Sequence, residues 1–243
     1  MQKVSRRSFL KGAGAAAAAA AIAPACDRST QSESKREPYA FLNPAEADFM
    51  ETAVSRLIPA DELGPGALEA DVPMFIDRQL AGAWGAGERL YRSGPWQQGK
   101  PEQGYQLPFT PAELFRTALR AIAEDLRLAN RGSFAKLAAE DQDAYLKGLE
   151  NESRDLGGVP SNVFFQSLLE MTLEGFFSDP VYGGNKDMAG WKLVGFPGAY
   201  ANYYELVDQH GIRFTRPPMS LAQDASGTIH VHPVTSAQPA KPK

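Results

Sequence analysis

Ser161-Asn-Val-Phe-Phe-Gln-Ser-Leu-Leu-Glu-Met-Thr-Leu-Glu-Gly-Phe-Phe177 carries apolar residues at helical spacing. Phe164, Phe165, Leu168, Leu169, Thr172, Leu173, Phe176 and Phe177 span an arc wider than the stripe of a helix with one wet face. A helix of this kind belongs at the centre of its domain, and these aromatics are read as core. Upstream, residues 134–150 repeat the pattern with Phe134, Leu137, Tyr145, Leu146 and Leu149, and Asp155 to Pro160 is a break. Thr110-Pro111-Ala112-Glu113 is a capping box with proline in the first turn. It starts a third helix bearing Leu114, Phe115, Ala118, Leu119, Ile122 and Leu126, which Asn130-Arg131-Gly132 stops.

Further upstream, Asn43-Pro44-Ala45-Glu46 starts a helix with Phe49, Met50, Ala53, Val54, Leu57 and Ile58 inward, ended by Pro59. Asp71 opens another, with Phe75, Ile76, Gln79 and Leu80 on one side. Residues 82–109 form a long loop rich in Gly, Pro and Gln, in which Trp84, Tyr91, Trp96, Tyr105 and Phe109 argue for order and use. Downstream of Phe177, Ser178-Asp179-Pro180 ends the helix and a glycine- and aromatic-rich loop fills 181–198. A short helix is expected over Ala199 to Asp208, then an unpatterned extended tail. No strand ladder or internal repeat is present. The predicted class is all-α, five to six helices with long aromatic- and Gly/Pro-rich loops. The predicted organisation is a signal peptide at 1–25, a polar tether at 26–39, a helical domain at 40–222 and a flexible tail at 223–243.

The N-terminus carries Ser5-Arg6-Arg7-Ser8-Phe9-Leu10-Lys11, which matches the twin-arginine signal, with Arg6, Arg7, Phe9 and Leu10 as its core. The alanine-rich run Gly12 to Ala23 is shorter and less apolar than a spanning helix of ~20 residues. It reads as the h-region of a removable leader. Gly12-x-Gly14-x-x-Ala17 fits a dinucleotide fingerprint by spacing, but it follows no strand and lies inside the leader. Ala23-Pro24-Ala25-Cys26 allows two readings: cleavage after an A-x-A site, or lipidation of Cys26. An unpaired thiol at an exported N-terminus favours lipidation.

Removing residues 1–25, with Lys3, Arg6, Arg7 and Lys11 and no acid, leaves 21 basic and 29 acidic residues, a net charge of −8. That argues against nucleic acid and against electrostatic adhesion to anionic lipid. One cysteine supplies neither an iron–sulfur site nor a C-x-x-C-H haem attachment. His230-x-His232 has no ligand partner at metal spacing. Tyr182-Gly183-Gly184-Asn185-Lys186 lacks the Gly-Lys-Ser/Thr ending of a phosphate cradle, and its plain reading is a turn. No G-x-S-x-G elbow exists. Tyr182, Gly183, Gly184, Asn185, Trp191 and Phe196, together with Trp96, have the character of docking residues: close backbones and large aromatics with one polar tip. Packing on their own domain is the bland alternative.

The chain resembles the gluconate 2-dehydrogenase subunit 3 family, the small subunits of membrane-bound, flavin-dependent sugar and polyol dehydrogenases. The residues that carry the likeness span about 40–222: Leu57-Ile58-Pro59-Ala60-Asp61, Gly64-Pro65-Gly66-Ala67, Phe75-Ile76-Asp77-Arg78-Gln79-Leu80, Tyr91-Arg92-Ser93-Gly94-Pro95 and Thr110-Pro111-Ala112-Glu113-Leu114. Most specific are Asp179-Pro180-Val181-Tyr182-Gly183-Gly184-Asn185, Gly190-Trp191-Lys192 and Gly195-Phe196-Pro197-Gly198. The resemblance implies a non-catalytic subunit with no cofactor of its own. Its partners would be a large FAD-bearing flavoprotein, a multi-haem cytochrome c subunit where present, and the twin-arginine translocase. It implies residence on the periplasmic side of the cytoplasmic membrane, held through partners; Cys26 departs from the family pattern, which requires no lipid, and a lipid there would tether the complex without the cytochrome. Two other functions fit the residues. One is a hydrolase using His210 with Asp208 or Glu205. The other is a sugar-binding lipoprotein whose 82–109 and 181–198 loops form one pocket.

Overall fold

A computed structural model describes residues 37–88, 90–97, 99–100, 106–200, 204–212 and 215–233. Arg6, Arg7, Phe9, Leu10, Cys26 and Tyr105 lie outside them. Among the described residues six α-helices follow one another: α1 Pro44–Leu57, α2 Val72–Ala81, α3 Pro111–Leu128, α4 Ala139–Asn151, α5 Ser161–Phe177 and α6 Ala189–Val194. Among the described residues there is no strand, only isolated bridges. The fold is all-α.

The starts of α1 and α3 follow their local chemistry. Asn43 Oδ1 accepts from the Ala45 and Glu46 amides, and the Glu46 carboxylate accepts from the Asn43 amide. Thr110 and Glu113 close the same reciprocal box at α3. Each box satisfies amides that the first helical turn leaves without a partner. The helical region expected over 134–150 is divided: one 3-10 turn, Phe134–Lys136, precedes α4. Gln142 bridges the break by donating to the Phe134 and Leu137 carbonyls.

α5 packs against α1, α2, α3, α4 and α6, the central position that its wide apolar arc predicts. Phe164 is fully buried and meets Phe115 edge-on at 5.4 Å and Phe49 at 6.3 Å, while Phe49 meets Phe134 at 4.8 Å. One aromatic chain thus joins α1, α3, α5 and the 3-10 turn, with pair geometries worth about 0.5–1.5 kcal/mol each beyond area burial. The arc is narrower at its C-terminal end than the sequence suggests. Leu173 is 43% and Phe177 39% exposed, so these two belong to the surface and not to the core.

The chain enters the domain through a buried clamp. Asp77, 1% exposed on α2, accepts from the Ala40, Phe41 and Leu42 amides at 2.7, 2.8 and 2.8 Å. Arg116 of α3 donates to the Phe41 carbonyl, lies 4.0 Å over the Phe41 ring and pairs with Glu46.

Among the described residues of Ala199 to Asp208 the expected α-helix is absent. They hold a single 3-10 turn, Tyr204–Leu206. The Ala199 amide donates instead to the Met219 carbonyl at 2.7 Å, and the Tyr200 hydroxyl donates to the Pro217 carbonyl at 2.6 Å. The start of this stretch is thus pinned to the chain's later arm. Beyond Ala222, the arm makes a turn in which Asp224 accepts from Ser226 and Thr228 and bonds the His230 ring.

Candidate functional site

Everything distinctive in the sequence after α5 converges on the segment 178–198. Asp179 ties the start of it to the later arm of the chain. Its carboxylate accepts from the Val181 amide, capping a 3-10 turn at Pro180–Tyr182, and from the Ser220 hydroxyl and Leu221 amide of the arm at 2.5 and 2.9 Å. Asn185 is fully buried. Its Nδ2 donates to the Ser178 carbonyl at 2.8 Å and its Oδ1 accepts from the Gly190 amide at 2.9 Å. One amide therefore bonds the end of α5 to the start of α6. Trp191, 5% exposed, donates from its indole nitrogen to the Phe177 carbonyl at 2.7 Å and meets Phe196 edge-on.

Two glycines let this segment lie directly on α5 and α2. A Cβ on Gly184 would sit 2.3 Å from the Gly175 carbonyl oxygen, and one on Gly190 would sit 2.1 Å from that of Phe176. No real side chain tolerates either distance. Three non-glycine residues in a row of four are left-handed: Asn185 (φ 47), Asp187 (φ 56) and Met188 (φ 56). Each costs on the order of 1–2 kcal/mol in an ordinary context. The surrounding bonds hold the conformation in place, as over-determined backbones require.

The residues expected to contact a partner therefore fall into two groups. Gly184, Asn185 and Trp191 are buried and Gly183 half-buried. Their polar groups are spent on building the segment. Tyr182 and Phe196 are 45% and 48% exposed. Sequence reasoning missed Leu193 and Val194, exposed at 47% and 60% on α6. The missing signal was α6 itself, six residues long and preceded by left-handed residues that look like a loop. Trp96 is elsewhere. It lines a groove of about 1310 Å³ with Leu107, Phe165 and Gln166, and no residue of 181–198 takes part. The two loops invoked for a common sugar pocket do not meet there.

Tyr182 and Phe177 share a shallow groove with Phe75, Gln79 and Glu174. Burial, reinforced by the Glu170 charge, pushes the Glu174 carboxyl above the usual carboxylate range. The arm reaches this groove: the His232 amide donates to the Val181 carbonyl, its ring stacks on Tyr182 at 6.2 Å, and Arg78 donates to its carbonyl. His230 turns to Asp224 at 2.8 Å, so the two tail histidines have separate partners. Among the described residues no three His, Cys, Asp or Glu side chains gather around a common point. His210 shares no hydrogen bond or ion pair with Asp208 or Glu205 among the described residues.

The arm's turn gives a pH prediction. The Ser226 hydroxyl, then the His230 ring and the Thr228 and Ser226 amides, hold the Asp224 carboxyl well below the usual aspartate range. A depressed carboxylate contributes stability that is fully present above its unfolded pKa of about 3.9 and is lost as the pH falls toward the folded value. Amide exchange at Gly227 and Thr228 should thus accelerate, beyond its intrinsic pH dependence, as the pH drops below about 4. Asp224→Asn should remove that dependence.

No helix among the described residues is long and apolar enough to cross a membrane. No curated protein and no solved structure matches the chain. The TAT (twin-arginine translocation) pathway signal sequence matches residues 3–23, which marks the chain for twin-arginine export from the cytoplasm. The segment just described, from the Asp179 cap through the Asn185 and Trp191 ties, closes a second match. The family described as Gluconate 2-dehydrogenase subunit 3 covers residues 44–198, from the first residue of α1 to the end of that segment. That span is more than half of the chain, and the chain belongs to the gluconate 2-dehydrogenase subunit 3 family.

Proposed function

We propose that the chain is the non-catalytic small subunit of a flavin-dependent sugar or polyol dehydrogenase. In this reading it docks on a large FAD-bearing flavoprotein, supports its maturation and lends it the twin-arginine signal. The supporting observation is how segment 178–198 divides its labour. Asn185, Gly184 and Trp191 turn every special feature inward, and the strained backbone they fix holds Tyr182, Leu193, Val194 and Phe196 outward. Large exposed apolar side chains on a rigid base are what partner anchors need, since little entropy is lost when they are covered. Oxidation of the sugar belongs to the partner polypeptide. The complex would lie on the periplasmic side of the cytoplasmic membrane, tied down by a lipid on Cys26 or by a multi-haem cytochrome c subunit, with Trp96 as a further contact.

The test is co-purification. The tagged chain, expressed in its own bacterium with its leader intact, should bring down a larger yellow flavoprotein through an interface above ~2,000 Å². Arg6→Lys with Arg7→Lys should leave both polypeptides in the cytoplasm. A stable monomer recovered from the exported fraction with no flavoprotein would overturn the reading.

A further inference from the structure

The groove shared by Phe75, Gln79, Glu174, Phe177, Ser178 and Tyr182 encloses about 440 Å³. Two of its rings, Phe177 and Tyr182, are open to solvent. Its polar side chains stand without partners. The Ser178 hydroxyl is buried and makes no hydrogen bond. Among the described residues the Gln79 amide, the Tyr182 hydroxyl and the Glu174 carboxylate make none either. Glu174 also has an unfavourable neighbour. Glu170 precedes it by one turn on α5, and that negative charge is the one that acts on it. Like charges at this helical spacing repel. Glu170 at least accepts from Gln166 at 2.8 Å. Arg78, beside Gln79 in sequence, donates to the His232 carbonyl. Glu174 is thus a partly desolvated carboxylate with neither donor nor counter-ion, an arrangement that costs free energy until something positive covers it.

We infer that this groove receives an arginine side chain presented by the catalytic flavoprotein. The inference rests on the proposed function and adds the place and chemistry of one contact. The Glu174 carboxylate decides the sign of the occupant, and the groups around it decide its shape. A guanidinium spreads its charge over a plane with five donors and stacks on aromatic rings. The Glu174 carboxylate, the Gln79 carbonyl oxygen and the Ser178 and Tyr182 hydroxyls can each accept from it, and Phe177 and Tyr182 supply exposed rings. A lysine ammonium has three donors and no plane, so it would leave part of this set unused. A neutral polyol would meet the hydroxyls but leave the repulsion between Glu170 and Glu174 in place. A second copy of the chain, with a net charge of −8 without its leader, would bring an acidic surface up to two carboxylates. The setting is also rigid. Tyr182 belongs to the 3-10 turn capped by Asp179, its ring stacks on His232, and the Phe177 carbonyl is held by Trp191. Little order is lost on this side when the incoming side chain is seated.

The experiment uses the tagged full chain recovered from its own bacterium, scored by flavin absorbance of the captured complex. Glu174→Lys is expected to cut flavoprotein recovery by about tenfold or more, and Glu174→Gln severalfold. Neither change should weaken the fold, because each ends the repulsion with Glu170. Melting temperatures at or slightly above wild type are therefore expected alongside the lost recovery, a pair of effects that a purely structural role for Glu174 would not give. Recovery that falls only in step with the melting temperature overturns the inference. Flavoprotein recovery unchanged in both variants overturns it while leaving the subunit reading intact. A wild-type chain that captures no flavoprotein overturns both. Calorimetric binding of glucose to the lone chain that Glu174→Gln abolishes overturns the inference by putting a polyol in the groove. A wild-type dimer in sedimentation that Glu174→Lys makes monomeric overturns it by putting a second copy there.

Discussion

Asp77→Ala is expected to destabilise the domain by about 2–4 kcal/mol, because three backbone donors lose their acceptor at once. The carboxylate accepts from the Ala40, Phe41 and Leu42 amides, and the Leu42 bond is fully buried. Alanine leaves that last amide with neither protein nor water. Ala40 is exposed and can recover a water, which keeps the cost below three full penalties. The loss spreads, since the Phe41 carbonyl and ring are the seat of Arg116, and Arg116 in turn pairs with Glu46 in the first turn of α1. For a domain of this size the melting temperature should fall by about 4–16 °C. Asp77→Asn tests the mechanism: its remaining oxygen can still accept from Phe41 and Leu42, which share Oδ1, while its NH2 faces the Ala40 amide. About half of the alanine effect is expected. A melt within about 2 °C of wild type for Asp77→Ala would show that the clamp contributes little.

Asp77 also shows what the sequence could and could not disclose. The helices were legible because their causes are local. Asn43-Pro44-Ala45-Glu46 and Thr110-Pro111-Ala112-Glu113 carry their own caps, and α5 announces its central place by the width of its apolar arc. Asp77 sits in Phe75-Ile76-Asp77-Arg78, where it reads as an ordinary polar position on an amphipathic helix. Its partners lie 35 to 37 residues away, and nothing in spacing points to them. The same distance problem hid the pairing of Ala199 and Tyr200 with Met219 and Pro217, 17 to 20 residues on, in a stretch whose composition allows a helix. α6 was hidden for the opposite reason. Its cause is local but rare: left-handed Asn185, Asp187 and Met188 place a helix start where three ordinary residues would forbid it. The segment 178–198 stood out in the sequence as unusual. Which of its residues build and which face outward depended on burial, a property of the assembled fold.

Asn185→Ala should be the most damaging single change near the proposed docking face, costing about 3–5 kcal/mol. The side chain is fully buried and makes two bonds to backbone groups seven residues before it and five after it. Alanine strands a half-buried carbonyl on Ser178 and a buried amide on Gly190. It must also adopt φ 47, a conformation that asparagine tolerates better than alanine. Asn185→Gly separates the two contributions. It removes the same hydrogen bonds but accepts the left-handed backbone, so it should be about 1 kcal/mol milder. The core around Phe164 is remote from these bonds and should survive both changes, leaving helical circular dichroism near wild type at low temperature. Segment 178–198 should not: protease cleavage after Lys186 or Lys192 should become fast, and the exposed Phe196 and Tyr182 should lose their fixed positions. If those side chains anchor the flavoprotein, recovery of the complex should fall in both variants, more steeply for alanine. Equal stability of the alanine and glycine variants would contradict the strain argument. Unchanged protease resistance in both would contradict the claim that one buried amide joins α5 to α6.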